Sequence, residues 1–199
     1  PLFERLRPKI EAIKLPPGYA LEWHGEHKAA TEANEGLAAA APFGLAAMVL
    51  AVIVMFNALR QAAVIWLTVP LAVVGVAVGL LVFQAPFEFM AILGVLSLTG
   101  MLIKNAIVLV DQIDVEIRDG KPRYQAVQDA AVSRARPVFL GAATTVLGVA
   151  PLLVDPFFRS MAVTIMFGLI FATALTLVVV PLLYAVFFGI RTTEQAVAV

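Results

Sequence analysis

Five stretches of this chain run without charge far enough to cross a bilayer: 36–59, 61–87, 89–110 with one interruption, 137–154 and 160–190. A helix needs ~18–20 mostly apolar residues to traverse the hydrocarbon. Inside lipid every backbone amide must be bonded within the protein, so only helices or a closed barrel can span it. Barrel strands are about half as long and alternate in polarity, which these runs do not. The expected fold is therefore an all-α transmembrane helix bundle with five spans. Composition agrees: the chain is 61% hydrophobic and 14% charged, with mean hydropathy +0.94, outside the range of an ordinary soluble domain.

The interruption is Lys104, inside the stretch Ser97-Leu-Thr-Gly-Met-Leu-Ile-Lys-Asn-Ala-Ile-Val-Leu-Val-Asp111. A charge near the middle of the membrane costs several kcal/mol unless it meets water or a partner, which makes it a functional position by default. Asp111 lies two turns away on the same helix, roughly 10 Å at the helical rise, and a lysine stem snorkels only part of that distance. Glu88 and Asp155 stand at the ends of spans, and no other carboxylate interrupts a hydrophobic run. The counter-charge is expected from a helix outside this sequence, so the chain reads as part of a larger bundle. Its opening, charged and proline-containing before any apolar run, is what the interior of a longer protein would show.

Taken in order, the sequence divides as follows. Residues 1–35 read as the end of a soluble α+β domain with a lead-in helix. Leu2, Leu6, Ile10 and Ile13 have helical spacing, Pro16-Pro17-Gly18 breaks it, and 19–23 alternates like a strand. His24 and His27, with Glu22 and Glu26 beside them, read as a solvated face rather than a metal site. Spans are expected at 36–59, 61–87, 89–111, 137–155 and 160–190. Between the third and fourth, 112–136 reads as a cytoplasmic turn and a short amphipathic helix lying on the membrane surface. Residues 191–199 form a tail. One set of connections holds Arg60, Arg118, Lys121, Arg123, Arg134, Arg136 and Arg191, and the opposite short loops hold only Arg159. Basic residues near span ends favour the cytoplasm, which puts the N-terminus outside and the C-terminus inside.

Small residues mark where helices are expected to approach closely: Gly75 and Gly79 in the second span, Gly100 on the Lys104 face of the third, and Gly141, Thr145 and Gly148 on one face of the fourth. Pro70 and Pro181 sit inside spans, where neighbouring helices can satisfy the freed carbonyls. Lys and Arg together equal Asp and Glu, 14 each, and there is no cysteine. Disulfide and thiol chemistry are excluded, and no basic patch is present to bind nucleic acid.

The motif from Gly100 to Asp111 resembles the corresponding helix of the resistance–nodulation–division (RND) efflux transporters. So do Ala126-Val-Gln-Asp-Ala130, Arg134-Ala-Arg-Pro-Val138, Thr144-Thr-Val-Leu-Gly-Val-Ala-Pro-Leu152 and Val69-Pro-Leu-Ala-Val-Val-Gly75, while Leu15-Pro-Pro-Gly-Tyr19 with Trp23 and Gly25 looks like the end of that family's last periplasmic porter domain. The resemblance is collinear over 1–190 and looks most like the hydrophobe/amphiphile branch of multidrug pumps. It implies the C-terminal part of a bacterial inner-membrane drug/proton antiporter, with the last five of twelve transmembrane helices. By position, Lys104 matches the lysine that pairs with two membrane aspartates of the N-terminal half. Arg134 matches an arginine at the cytoplasmic end of the proton path, and Asn105 has a supporting place beside Lys104. Where the family often carries a threonine, this chain has Gly141, and Thr145 or Thr144 would have to compensate. The resemblance further implies a homotrimer, a periplasmic adaptor, an outer-membrane channel, hydrophobic or amphiphilic drugs as cargo, and no cofactor beyond the coupling proton.

Three other readings compete. A metal- or lipid-exporting relative would share the membrane core, and a metal pump is expected to show methionine pairs and acidic residues along its spans, a pattern that six scattered methionines do not make. An intramembrane enzyme needs a nucleophile and base, or paired aspartates, at mid-membrane, and this chain offers neither. A purely structural scaffold leaves Lys104 without a purpose.

Overall fold

The computed structural model describes residues 6, 8–10, 12, 13, 16 and 26–190. Helix α1 is Glu26–Phe56, α2 Leu59–Val82, α3 Phe89–Arg118, α4 Arg123–Val149 continued by a 3-10 turn at Ala150–Leu153, and α5 Arg159–Phe187. All five are long and apolar enough to cross a membrane. Among the described residues there is no strand. The strand expected at 19–23, and His24, lie outside the described residues, as does most of the helix expected over 1–15. The α+β remnant is therefore not shown, and the elements of the described residues are all helical.

The chain falls into two units, Pro1–Pro42 and Phe43–Val199. In the first, α1 begins at Glu26, ten residues before its uncharged run. The alanines and glutamates of 26–40 are good helix formers, so the lead-in and the span are one helix.

In the second unit α5 is the central helix, half of its apolar window being buried. Its neighbours are small-faced where they meet it. A Cβ added to Gly75 of α2 would come within 2.8 Å of the Phe167 carbonyl oxygen and 3.2 Å of the Gly168 Cα. One added to Gly79 would press on the Phe167 ring, 2.7 Å from its Cγ. On the α3 side, a Cβ at Gly94 would lie 3.1 Å from Thr164. Lipid is as apolar as leucine, so such helices are held by close van der Waals contact rather than by escape from water. Glycine brings two backbones close enough for that contact. Three buried hydroxyls serve their own helices: Thr68 donates to Ile65 at 2.6 Å, Thr99 to Val95 at 2.8 Å and Thr164 to Ser160 at 2.8 Å.

Two apolar clusters are stacked along the bundle. One gathers Ala72, Val76, Leu98, Leu102, Ala142 and Leu169. The other draws Val52 of α1, Ile65 of α2, Leu109 and Ile113 of α3, Val127 of α4 and Val180 with Tyr184 of α5 into one contact set.

The 112–136 segment differs from its sequence reading. No separate surface helix forms there. α3 continues through Asp111 to Arg118, and α4 runs from Arg123 through Pro137 to Val149. The residues divide between two helices joined by a four-residue turn. α3 ends because Gly120 takes φ +88°, open to glycine without strain. The Lys121 N–H then reaches Glu116 O at 3.2 Å and the Gly120 N–H reaches Ile117 O at 3.1 Å, the paired bonds of a Schellman end. At 30 residues α3 is about 45 Å long, more than the ~30 Å hydrocarbon requires, so its last turns stand clear of the apolar layer.

Candidate functional site

Lys104 stands on a face of α3 that the other described residues do not cover. Ser97, Gly100, Lys104 and Asp111 are all exposed, and their spacing of three, four and seven residues keeps them on one stripe. The opposite face, with Leu98, Leu102, Ala106, Leu109 and Ile113, is buried. Nothing lies within 4 Å of a Cβ placed on Gly100. Among the described residues Lys104 enters no hydrogen bond or ion pair. Asn105 is turned partly inward and is half-buried.

The fourth span carries a second open stripe. Pro137, Leu140, Gly141, Thr144, Leu147 and Gly148 are exposed, and no atom meets a Cβ at Gly141 or Gly148. The Thr144 and Thr145 hydroxyls both donate to the Gly141 carbonyl oxygen, each at 2.9 Å. Their protons are thus engaged within the helix, and what they offer outward is lone pairs. The two threonines are brought together on Gly141; neither is hydrogen-bonded to Lys104.

Arg134 is joined to a residue the sequence reading did not single out. Its Nε and Nη2 donate to Gln112 Oε1 of α3 at 3.0 and 2.5 Å. The Gln112 amide then donates to Glu116 at 2.9 Å. Glu116 meets the Lys121 ammonium at 2.5 Å, and the same ammonium meets Asp129 of α4 at 2.8 Å. Hydrogen bonds to Asp129 first and Glu116 second raise the Lys121 pKa. A chain of side chains therefore runs from Arg134 to the tip of the α3–α4 hairpin. A signal for Gln112 existed in the tight turn at 119–122. Helical side chains lean toward their N-terminus, so Arg134 leans toward the tip and Gln112 away from it, closing a gap that residue counting alone leaves open. For the Tyr184 hydroxyl, which donates to Asp114 at 2.5 Å across 70 positions, no local signal exists. Among the described residues no group of three or more His, Asp or Glu side chains is placed to hold a metal ion.

Comparison with known proteins gives a consistent result. Residues 4–188 match the AcrB/AcrD/AcrF family. The chain is 30% identical, over 85% of its length, to the nickel-cobalt-cadmium resistance protein NccA of Alcaligenes xylosoxydans xylosoxydans, covering 16% of that protein. It is 33% identical over 62% of its length to the multidrug resistance protein MdtC of Proteus mirabilis, covering 13% of it. A crystal structure of a heavy metal efflux pump superposes with a TM-score of 0.73 at 31% identity, over 94% of this chain and 19% of that one. The chain thus spans less than a fifth of the proteins it matches. Metal-resistance relatives outweigh multidrug ones, against the expected hydrophobe/amphiphile branch.

Proposed function

Since the chain belongs to the AcrB/AcrD/AcrF family of efflux transporters, we propose that it is the C-terminal membrane portion of a proton-driven pump that expels heavy-metal cations. The observation that carries this reading is the bare Lys104 stripe. A lysine at mid-span, flanked by Ser97 and Gly100 with room beside them, is shaped to receive carboxylates from another helix. The rest of the transporter supplies them. Ion-paired, the lysine holds that helix close. When protons neutralise the carboxylates the pair is released, a large local change in electrostatic energy suited to moving helices. Arg134, held by Gln112, stands at the far end of the same hairpin, where protons leave. Asn105, with Thr145 and Thr144 more weakly, is a further candidate for the relay. The proton is the only cofactor required, and the process is transport rather than catalysis.

The pump sits in the bacterial inner membrane, with 1–35 periplasmic and 191–199 cytoplasmic, and works as a trimer with an adaptor and an outer-membrane channel. Metal cargo is favoured by the names of NccA and of the superposed efflux pump. The methionine pattern expected of a metal pump does not bear on this stretch, because it holds the coupling part and the cargo is selected elsewhere. Drug export is the second reading, on the match to MdtC. Reconstituting the complete transporter in vesicles with an imposed pH gradient separates them. Nickel or cobalt should move against its gradient only while the proton gradient lasts. Movement of hydrophobic dyes but not metals would favour drugs, and movement of either without a proton gradient would remove the coupling.

A further inference from the structure

A cavity of about 470 Å³ opens where α3 and α5 end and α2 and α4 begin. Asp111, Asp114, Arg118, Arg123, Gln61 and Tyr184 border it, with Phe56 and Phe188 among its apolar walls. Asp114 is engaged by the Tyr184 hydroxyl, and Arg118 spends its Nε on the Asp114 carbonyl at 3.2 Å, which leaves its terminal nitrogens. Asp111 and Arg123 have no hydrogen bond or ion pair among the described residues. The Gln61 Oε1 is buried and likewise without a hydrogen-bond partner among them.

The cavity therefore offers spare groups of both signs at one opening. A lone anion would meet Asp111, and a lone cation would meet the arginines. A ligand carrying both charges satisfies each. The level in the bundle is equally specific: the uncharged run of α3 closes at Val110 and these groups follow within two turns, at the height of lipid headgroups. Basic pockets between helices at this level take phosphate headgroups, and the volume is that of a small-molecule site.

We propose that this cavity binds a phospholipid whose headgroup carries a phosphate and a primary ammonium. Arg118 and Arg123 take the phosphate, Asp111 takes the ammonium with Gln61 as a further acceptor, and the acyl chains leave along the apolar wall. The site rests on the membrane location proposed above and not on the cargo or its coupling to protons.

The test is native mass spectrometry of the complete transporter equilibrated with vesicles of phosphatidylethanolamine, phosphatidylcholine and phosphatidylglycerol in equal parts. The ethanolamine lipid should be retained about tenfold over the other two, since one charge-assisted hydrogen bond distinguishes it from a choline that has no N–H to donate. Asp111→Asn should remove that preference, and Arg123→Gln should lower retention of all three. Equal retention of the three lipids, or an unchanged preference in both variants, overturns the site. Displacement of the lipid by inorganic phosphate alone assigns the arginines to a free anion and overturns the lipid. Transport does not enter the readout, so this proposal and the pump reading fail separately.

Discussion

Two glycine-bearing surfaces of this bundle look alike in sequence and differ in what they touch. On the seam between α2 and α5, Gly75 and Gly79 are pressed against Phe167, Gly168 and Phe171. On the outer face of α3 and α4, Gly100, Gly141 and Gly148 meet nothing within 4 Å. The first surface is finished inside this chain. The second has the small residues, a lysine and a pair of threonines, but no neighbour among the described residues. Burial separates the same residue types: glycine against backbone holds the bundle, while in the proposed pump glycine beside a bare charge reserves space for a further helix.

Changing Lys104 should give the largest effect and bears most directly on that contrast. In the complete transporter, Lys104→Ala should abolish export while expression and insertion stay near normal. Removing one member of a buried pair leaves the other uncompensated, at roughly 3–5 kcal/mol. Lys104→Arg should fail as well, because a planar guanidinium does not reproduce a compact ammonium beside Gly100 and Ser97. Metal susceptibility measured beside membrane protein level decides it. Near-normal resistance in Lys104→Ala would mean that the open face is lipid-facing surface and its lysine a snorkelling one.

The glycines come next. Gly75→Ala places a methyl 2.8 Å from a backbone oxygen that cannot swing aside. Overpacking of this kind costs roughly 1–3 kcal/mol, against a gain of up to ~1 kcal/mol from alanine's helix propensity. The melting temperature of the purified transporter should fall. Gly100→Ala should leave melting nearly unchanged and reduce export. An equal loss of stability at Gly100 would show that the outer face is packed as tightly as the seam.

The sequence made the spans legible because uninterrupted apolar length is a property of each segment alone. Lys104 was legible for the same reason, as a charge in the wrong solvent. The helix ends were less so. Asp111 and Pro137 looked like boundaries, yet a helix already formed costs little to extend, and α3 and α4 run past both. Tyr184 with Asp114, and Gln112 with Arg134, depend on which helix faces which, and no single segment encodes that. The branch of the family was not legible either: the motifs looked most like multidrug pumps, whereas metal-resistance relatives outweigh multidrug ones among the matches.

Gln112 tests whether the hairpin belongs to the finished surface or the open one. Gln112→Ala removes the acceptor of both Arg134 bonds, and hydrogen bonds to a charged group contribute roughly 1.5–3 kcal/mol. If Arg134 takes part in proton release, the variant should slow export and shift its pH dependence, with melting lowered only slightly, and Gln112→Asn should restore part of the rate. A lowered melting temperature with an unshifted pH profile would make the link purely structural.

The smallest effect belongs to Lys121, which bridges Glu116 and Asp129 at the hairpin tip. Its ammonium is in contact with solvent, so the pair is screened by salt and contributes little. The sign of its pH dependence is nevertheless fixed. Its folded pKa is raised, so its contribution is complete below the unfolded value of about 10.4 and is lost only as pH climbs through the folded value above that. Between pH 7 and 9 Lys121 should therefore impose no slope on the stability of the turn. Limited proteolysis at 119–122 in the membrane-embedded transporter measures this. Cleavage should be flat over that range and slightly faster in Lys121→Met or in high salt, whereas protection falling steadily from pH 7 to 9 in the wild type alone would mean that the ammonium is far less firmly held by its two carboxylates.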